Sequence, residues 1–130
     1  MKDTTKQWLN FAETDLRTCI KLLDDTFLTN VVAFHSQQII EKSFKAIIEE
    51  HGLQLPRIHS LIRLYGVIQN SISFSVDNIL LQKTDTVYTT SRYPSDLGIM
   101  PEGKPTLELA VQLYEFAQYI YKSTLEMLDK

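Results

Sequence analysis

The sequence predicts an all-α protein, an up-and-down bundle of four to five helices, and three observations carry that prediction. Residues 30–52 keep a helical period with no internal proline or glycine, placing Phe34, Ile40, Phe44, Ile47 and Ile48 at three- and four-residue steps. Three of the four prolines (Pro94, Pro101, Pro105) and two of the four glycines (Gly98, Gly103) fall between positions 94 and 105, which marks one long loop and leaves the rest to helix. The chain has 130 residues, 44% of them hydrophobic and 22% charged, enough to bury one core as a single domain over residues 1–130.

The first helix is expected to start near Thr4 or Thr5, with Asp3, Thr4 and Thr5 all able to cap it. Trp8, Phe11, Ala12, Leu16, Cys19, Ile20, Leu22 and Leu23 give it a broad apolar stripe. Asp15 interrupts that stripe, either at its edge or paired with a cation from another helix, because an unpaired buried carboxylate is costly. Asp24-Asp25 and Thr29-Asn30 mark the turn into helix two, with Thr29 or Asn30 as its cap. Helix two closes at Gly52, suited to a left-handed C-cap, and His51 complements the end of the helix dipole.

Arg57-Ile58-His59-Ser60 opens a third helix with Ile58, Leu61, Ile62, Tyr65 and Ile68 on one face. Gly66 weakens its end or marks close packing. A fourth helix starts within Ser71–Ser75, carries Ile79, Leu80, Lys83, Val87 and Tyr88 at helical spacing, and stops by Tyr93 because Pro94 follows. The loop Pro94–Pro105 is long for a link between helices, and such loops tend to be functional or mobile. Pro105 leads into helix five, Thr106 to about Leu128, with Leu107, Ala110, Val111, Tyr114, Ala117, Ile120, Tyr121, Leu125 and Leu128 as its stripe. Tyr114, Phe116, Tyr119 and Tyr121 cannot all face one way, so some are expected off the core, where aromatics suit an interface.

Composition narrows the function. A net charge of −3 provides no bulk basic field for non-specific nucleic-acid binding, although a local patch and RNA binding stay open. One cysteine, Cys19, forms no intramolecular disulfide, fits a reducing compartment and reads as a buried inert thiol. No apolar run is long enough to span a bilayer and the first ten residues have no signal-peptide core, so a cytoplasmic protein without a membrane partner is expected. The histidines at 35, 51 and 59 lack the i, i+4 spacing of a helical zinc site, and no glycine-rich phosphate loop or nucleophile elbow exists. No metal and no cofactor are expected.

The chemistry that remains is a polar set concentrated on helix two. Gln37 and Glu41 stand in line with Phe34 and Phe44, so they are either satisfied by other buried polar groups or face a partner. Glu41 and Lys45 are four apart with the acid first, the favoured order for an ion pair. A bundle brings Asp15, Gln38, Glu41, Lys42, Lys45, His59, Arg92 and Tyr93 together. Lys42, Lys45 and Arg92 would supply charge for a phosphate, with His59 near a helix start and Tyr93 next to Arg92. The structural alternative is an internal network of Asp15, Lys42 and His59 that holds three helices in register, with Gln38 and Glu41 as supporting polar groups and the lysines on a solvated face.

Four motifs in order then resemble the HEPN domain. They are W-x6-D-L (Trp8, Asp15, Leu16), Q-Q-x2-E-K-x2-K-A (Gln37 to Ala46), H-S-L (His59 to Leu61) and R-Y-P (Arg92 to Pro94). The resemblance implies a small helical bundle, a homodimer, from a bacterial or archaeal cytoplasm. Such proteins are often encoded beside a minimal nucleotidyltransferase, and several act in toxin–antitoxin or other defence systems. It also implies a nucleotide ligand or a nucleotidyltransferase-like protein partner, in a groove near the dimer interface lined by helix two, His59 and the Arg92–Tyr93 corner. Members that are RNases resemble one another in an arginine followed four to six residues later by histidine. Here Arg17, Arg57, Arg63 and Arg92 have no histidine in that window. Cleavage through a 2′-hydroxyl needs a group titrating near neutrality, a role that suits histidine. The expectation is therefore a non-catalytic binding module with no catalytic residue assigned. The alternatives are a divergent RNase using His59 with Arg57 or Arg92, and a purely structural interaction protein.

Overall fold

The computed structural model describes residues 1–91 and 104–129, and among them the chain is all helix with no strand. The elements are α1 (Asp3–Leu22), α2 (Thr29–Glu50), α3 (Leu61–Ile68), α4 (Asn78–Ser91) and α5 (Leu107–Leu128). This is the helical bundle that periodicity and breaker placement predicted. The expected Pro94–Pro105 loop, up to position 103, lies outside the described residues, as do Arg92 and Tyr93.

Helix α2 is the centre of the molecule. It contacts every other helix and packs most extensively on α1 and α5. Ile39, Ile40, Phe44, Ala46, Ile47 and Ile48 are fully buried, and so are Leu61, Leu64 and Ile68 of α3, Leu81 of α4 and Ala117 and Ile120 of α5. Its C-terminus closes as expected. Gly52 has φ +64, its N–H bonds Glu49 O at 3.1 Å, and the Leu53 N–H reaches Ile48 O at 3.0 Å, the paired bonds of a Schellman motif. His51 Nδ1 lies 3.0 Å from Ile47 O and covers another terminal carbonyl.

The N-terminal caps depart from expectation. Helix α1 has no side-chain cap; Thr4 and Thr5 reach across to the end of α2 instead. Thr5 Oγ1 donates to Glu50 at 3.0 Å and Thr4 Oγ1 to Glu49 at 3.2 Å, while the Lys2 backbone N–H bonds Glu50 and its ammonium bonds Glu49 O. A tertiary partner outcompetes the local N–H groups, and α1 and α2 are latched antiparallel. The bond from the Lys2 N–H, then that from Thr5, holds the Glu50 carboxyl below its ordinary range. A lowered folded value means the latch stabilises above the unfolded carboxylate range and weakens as pH falls through the folded value. Glu50→Gln is expected to lose less stability than wild type between pH 7 and pH 3, read from urea midpoints at each pH.

Neither Thr29 nor Asn30 caps α2. The helix begins at Thr29 itself, and Asp25 caps the preceding turn by accepting from Phe27 and Leu28 N–H at 2.9 and 3.3 Å. Pro105 lies one residue before the α5 cap, Thr106, whose hydroxyl accepts from Leu109 N–H at 3.1 Å.

Helix α3 starts later than predicted. Residues 57–60 are not helical, Ser60 caps α3, and the carboxylate of Asp85 on α4 accepts from Leu61 N–H at 2.9 Å and Ile62 N–H at 3.2 Å. The local sequence gives no sign of this cap because it comes from another helix. Asp85→Ala strands two N–H groups and is expected to cost about 1–2 kcal/mol in chemical denaturation. Ser75 and Ser71 do not start α4; Asp77 does, accepting from Ile79 and Leu80 N–H at 2.9 and 3.1 Å.

Gly66 is exposed, and a Cβ there would meet nothing within 4 Å, so close packing is not its reason. Gly66→Ala is expected to raise stability by about 0.5–1 kcal/mol, seen as a higher melting temperature.

Two stripes are displaced from their predicted centres. On α1, Phe11 and Ile20 are 57% and 53% exposed while Thr5 and Leu9 are buried; on α4, Ile79 is 75% exposed while Leu81 and Thr84 are fully buried. Cys19 is buried as expected. Burial pushes its thiol up to about 12, and its Sγ–H lies 3.6 Å from Val32 O, so it is no nucleophile. Of the four α5 aromatics, Tyr114, Phe116 and Tyr121 are buried; only Tyr119 is exposed, and its hydroxyl donates to Ser75 O at 2.6 Å. The aromatic argument for an interface therefore fails for three of the four.

Candidate functional site

The polar residues of α2 sort into two networks along one edge of the helix. His35 and Lys42 turn towards Asp15 of α1, while Gln37, Glu41 and Lys45 gather next to them beside the α2–α3 connection, with Gln38 bonded to Gln37, a consequence of 100° per residue. The Gln37–Glu41 line is satisfied inside the chain, which settles the choice left open by its place among aromatics.

The first network clamps α1 to α2. Asp15, 5% exposed, receives Lys42 Nζ at 2.5 Å and His35 Nδ1 at 2.7 Å. The imidazole donates, since a carboxylate only accepts. His35 and Lys42 are seven residues apart, two turns of one helix, and converge on a single carboxylate from the facing helix. Position 35 was legible as a partner only by that spacing, and sequence reasoning passed over it.

The second network centres on Glu41, 4% exposed. Its Oε1 accepts from Gln37 Nε2 at 3.2 Å and from His59 Nδ1 at 3.1 Å, and its Oε2 accepts from Lys45 Nζ at 3.0 Å. Gln37 Nε2 also donates to the His59 carbonyl at 2.9 Å, and Gln38 Nε2 donates to Gln37 Oε1 at 2.7 Å. Lys45 is 7% exposed, its ammonium 5.4 Å from the centre of the Trp8 ring, a distance at which the ring face attracts a cation. His59 is the outlier, with a side chain 70% exposed and only Nδ1 engaged among the described residues.

His59 joins Glu41, not Asp15, so the expected Asp15–Lys42–His59 network divides in two. Lys45 is buried and Lys42 is mostly covered, so neither is a lysine on a solvated face. Both ammonium groups are matched by carboxylates: Lys42 with Asp15 and Lys45 with Glu41. The two lysines and the two carboxylates of the edge balance in charge. Arg92 and Tyr93 lie outside the described residues. Phe34 stacks on Tyr88 of α4, ring centres 5.5 Å apart, and borders the edge on its far side.

Chemically, the edge offers hydrogen bonds, two aromatic surfaces and one oriented imidazole. Among the described residues no cluster of three histidine, cysteine, aspartate or glutamate side chains could hold a metal ion, and no helix is long and apolar enough to cross a membrane.

Comparison with known proteins gives one match. The family model of the HEPN domain matches residues 5–128, and no curated protein and no solved structure matches the chain. That span contains both α2 networks and all of the described bundle apart from its first residues and last one. The chain belongs to the HEPN domain family.

Proposed function

We propose that this HEPN domain is a non-catalytic binding module whose α2 edge docks a protein partner of the nucleotidyltransferase type, in a toxin–antitoxin or other defence setting. The observation that carries this reading is the pairing of Lys42 and Lys45 with buried carboxylates. Phosphate recognition draws on unspent cationic charge and directed donors. Here the two lysines are matched within the chain, which favours a neutral, hydrogen-bonding protein surface over a nucleoside triphosphate. Trp8, Gln38, Phe34 and the exposed ring of His59 supply the mixed aromatic and polar character of an interface.

The test is purification of the tagged protein from its native cells, in parallel with a Gln38→Arg/His59→Arg variant. A nucleotidyltransferase-type protein is expected with the wild type and absent from the variant, whose circular dichroism stays unchanged. Recovery of that protein with both forms would place the contact elsewhere.

One observation supports a second reading, a divergent RNase. A buried carboxylate bonded to Nδ1 of an exposed histidine is the arrangement that orients a general base. Under that reading, cleavage of a mixed RNA pool disappears in His59→Ala and persists in His51→Ala. Under the leading reading neither variant differs from wild type, because no cleavage is present.

A further inference from the structure

The three histidines of the chain all have Nδ1 engaged, and they differ in two respects that decide what the other ring nitrogen can do. His35 Nδ1 lies 2.7 Å from the Asp15 carboxylate, but its side chain is only 24% exposed. His51 is exposed, but its Nδ1 meets a backbone carbonyl, Ile47 O, at 3.0 Å. His59 combines both features. Its Nδ1 lies 3.1 Å from the buried Glu41 carboxylate, and its side chain is 70% exposed.

Carboxylates and carbonyls only accept, so each Nδ1 donates and each Nε2 keeps its lone pair while the ring is neutral. The His35 ring is mostly covered, which keeps a reactant away from that lone pair. The His51 ring is accessible, but a neutral carbonyl adds little to its basicity. The His59 ring is accessible and backed by a full negative charge. That charge raises the electron density at Nε2 and stabilises the positive charge that develops on the ring as Nε2 attacks.

The support for His59 is itself fixed. Gln37 Nε2 donates to the His59 carbonyl at 2.9 Å and to Glu41 Oε1 at 3.2 Å, while Lys45 holds Glu41 Oε2 at 3.0 Å. Backbone and carboxylate are therefore set by neighbours on α2 before any reactant arrives. Arg57 and Arg63 are exposed two and four residues from His59, and neither side chain forms an ion pair or hydrogen bond among the described residues. Their charge favours the approach of an anionic reactant. The start of α3 adds nothing to this, because Asp85 and the Ser60 hydroxyl already take the N–H groups of Leu61, Ile62 and Arg63.

We propose that His59 is a phosphoryl-acceptor site, modified on Nε2 by a donor of the phosphoramidate or acyl-phosphate class. The Nε2 lone pair attacks phosphorus, an N–P bond forms, and the bond from phosphorus to the donor's nitrogen or oxygen breaks with its electron pair. Ammonia leaves from phosphoramidate, and a carboxylate leaves from an acyl phosphate. The Nδ1 proton stays on the ring beside Glu41, the positioning residue, and no oxidant or reductant takes part. Lys42 and Lys45 keep their carboxylates throughout, since covalent acceptance needs no standing affinity for phosphate. The site goes beyond partner docking and does not rest on it, so either can fail while the other stands.

The test is incubation of the folded protein with phosphoramidate at neutral pH. Intact mass reads the gain of one acid-labile phosphoryl group, peptide mapping finds the residue, and phosphorus NMR identifies the ring nitrogen. His51 in the same molecule is the internal reference. His59 is expected to be labelled on Nε2 about tenfold or more faster than His51, with His35 slowest. The preference is expected to vanish in urea, where the carboxylate no longer backs the ring. Glu41→Gln/Lys45→Met removes the carboxylate without stranding the lysine, and circular dichroism checks its fold. It is expected to bring the His59 rate down to that of His51 while the His51 rate stays unchanged. Equal rates at His51 and His59 in the wild type would overturn the proposal, a comparison that needs no variant. So would a label on Nδ1, or a His59 rate that survives in Glu41→Gln/Lys45→Met.

Discussion

Glu41→Ala is expected to destabilise the protein by about 3 kcal/mol or more, a large fraction of the ~5–15 kcal/mol that holds a domain of this size together. The reason is what it leaves behind. Lys45 is 7% exposed and its nearest acid is Glu41, so truncation strands a buried ammonium. Gln37 and His59 lose an acceptor in the same step. Removing both charges together is a different matter. Glu41→Leu/Lys45→Met replaces the pair with apolar groups of similar size and is expected to cost far less than Glu41→Ala alone, because desolvation of two ions offsets most of their attraction. Urea denaturation of the single and double variants checks this. Equal losses in the two would mean that the pair contributes no coupling and that Lys45 finds water when Glu41 is gone.

Phe44→Ala is expected to cost about 3–5 kcal/mol. Its ring is fully buried one turn from Glu41 and lies 6.3 Å from the Tyr65 ring, so it fills the junction of α2 with α3. The cavity left cannot close easily, since Ile40, Ile47 and Ile48 around it belong to the same rigid helix. A fall in the urea midpoint with an unchanged slope is the expected signature of lost packing in an intact fold. A loss below about 1 kcal/mol would show that α3 collapses onto the vacancy.

The sequence was most legible where the cause of structure is local. The period of α2, the scarcity of breakers and the left-handed cap at Gly52 are properties of contiguous residues, and each of those predictions agrees with the structure. Asp15 could be read as paired because an acid inside an apolar stripe has few other stable outcomes. What failed were features decided by a second element. Thr4 and Thr5 are good caps in isolation, but Glu49 and Glu50 at the far end of α2 are better partners for them. Asp85 caps a helix more than twenty residues earlier in the chain, beyond the reach of a capping motif.

Periodicity also fixes the width of an apolar stripe better than its centre. On α4 the isoleucine and leucines at 79, 80 and 81 span most of the helix circumference, and only packing against α2 decides that Leu81 goes inside and Ile79 outside. On α1 the same ambiguity hid the exposed Ile20. For the candidate site, the sequence drew attention to α2 and its acids and lysines. It could not tell which cation answered which acid, because Lys42 and Lys45 are three apart and only the rotation of α2 directs one to Asp15 and the other to Glu41.

If, as proposed, the charges of α2 are used within the chain, its edge recognises a protein surface and not a phosphate. The most direct measurement is calorimetric titration of the protein with ATP and GTP at low salt, beside a Lys42→Ala variant. No binding tighter than about 1 mM is expected to either nucleotide, a limit near −4 kcal/mol. Micromolar binding to the wild type that disappears in Lys42→Ala would contradict it, because that lysine would then be leaving Asp15 to hold a phosphate.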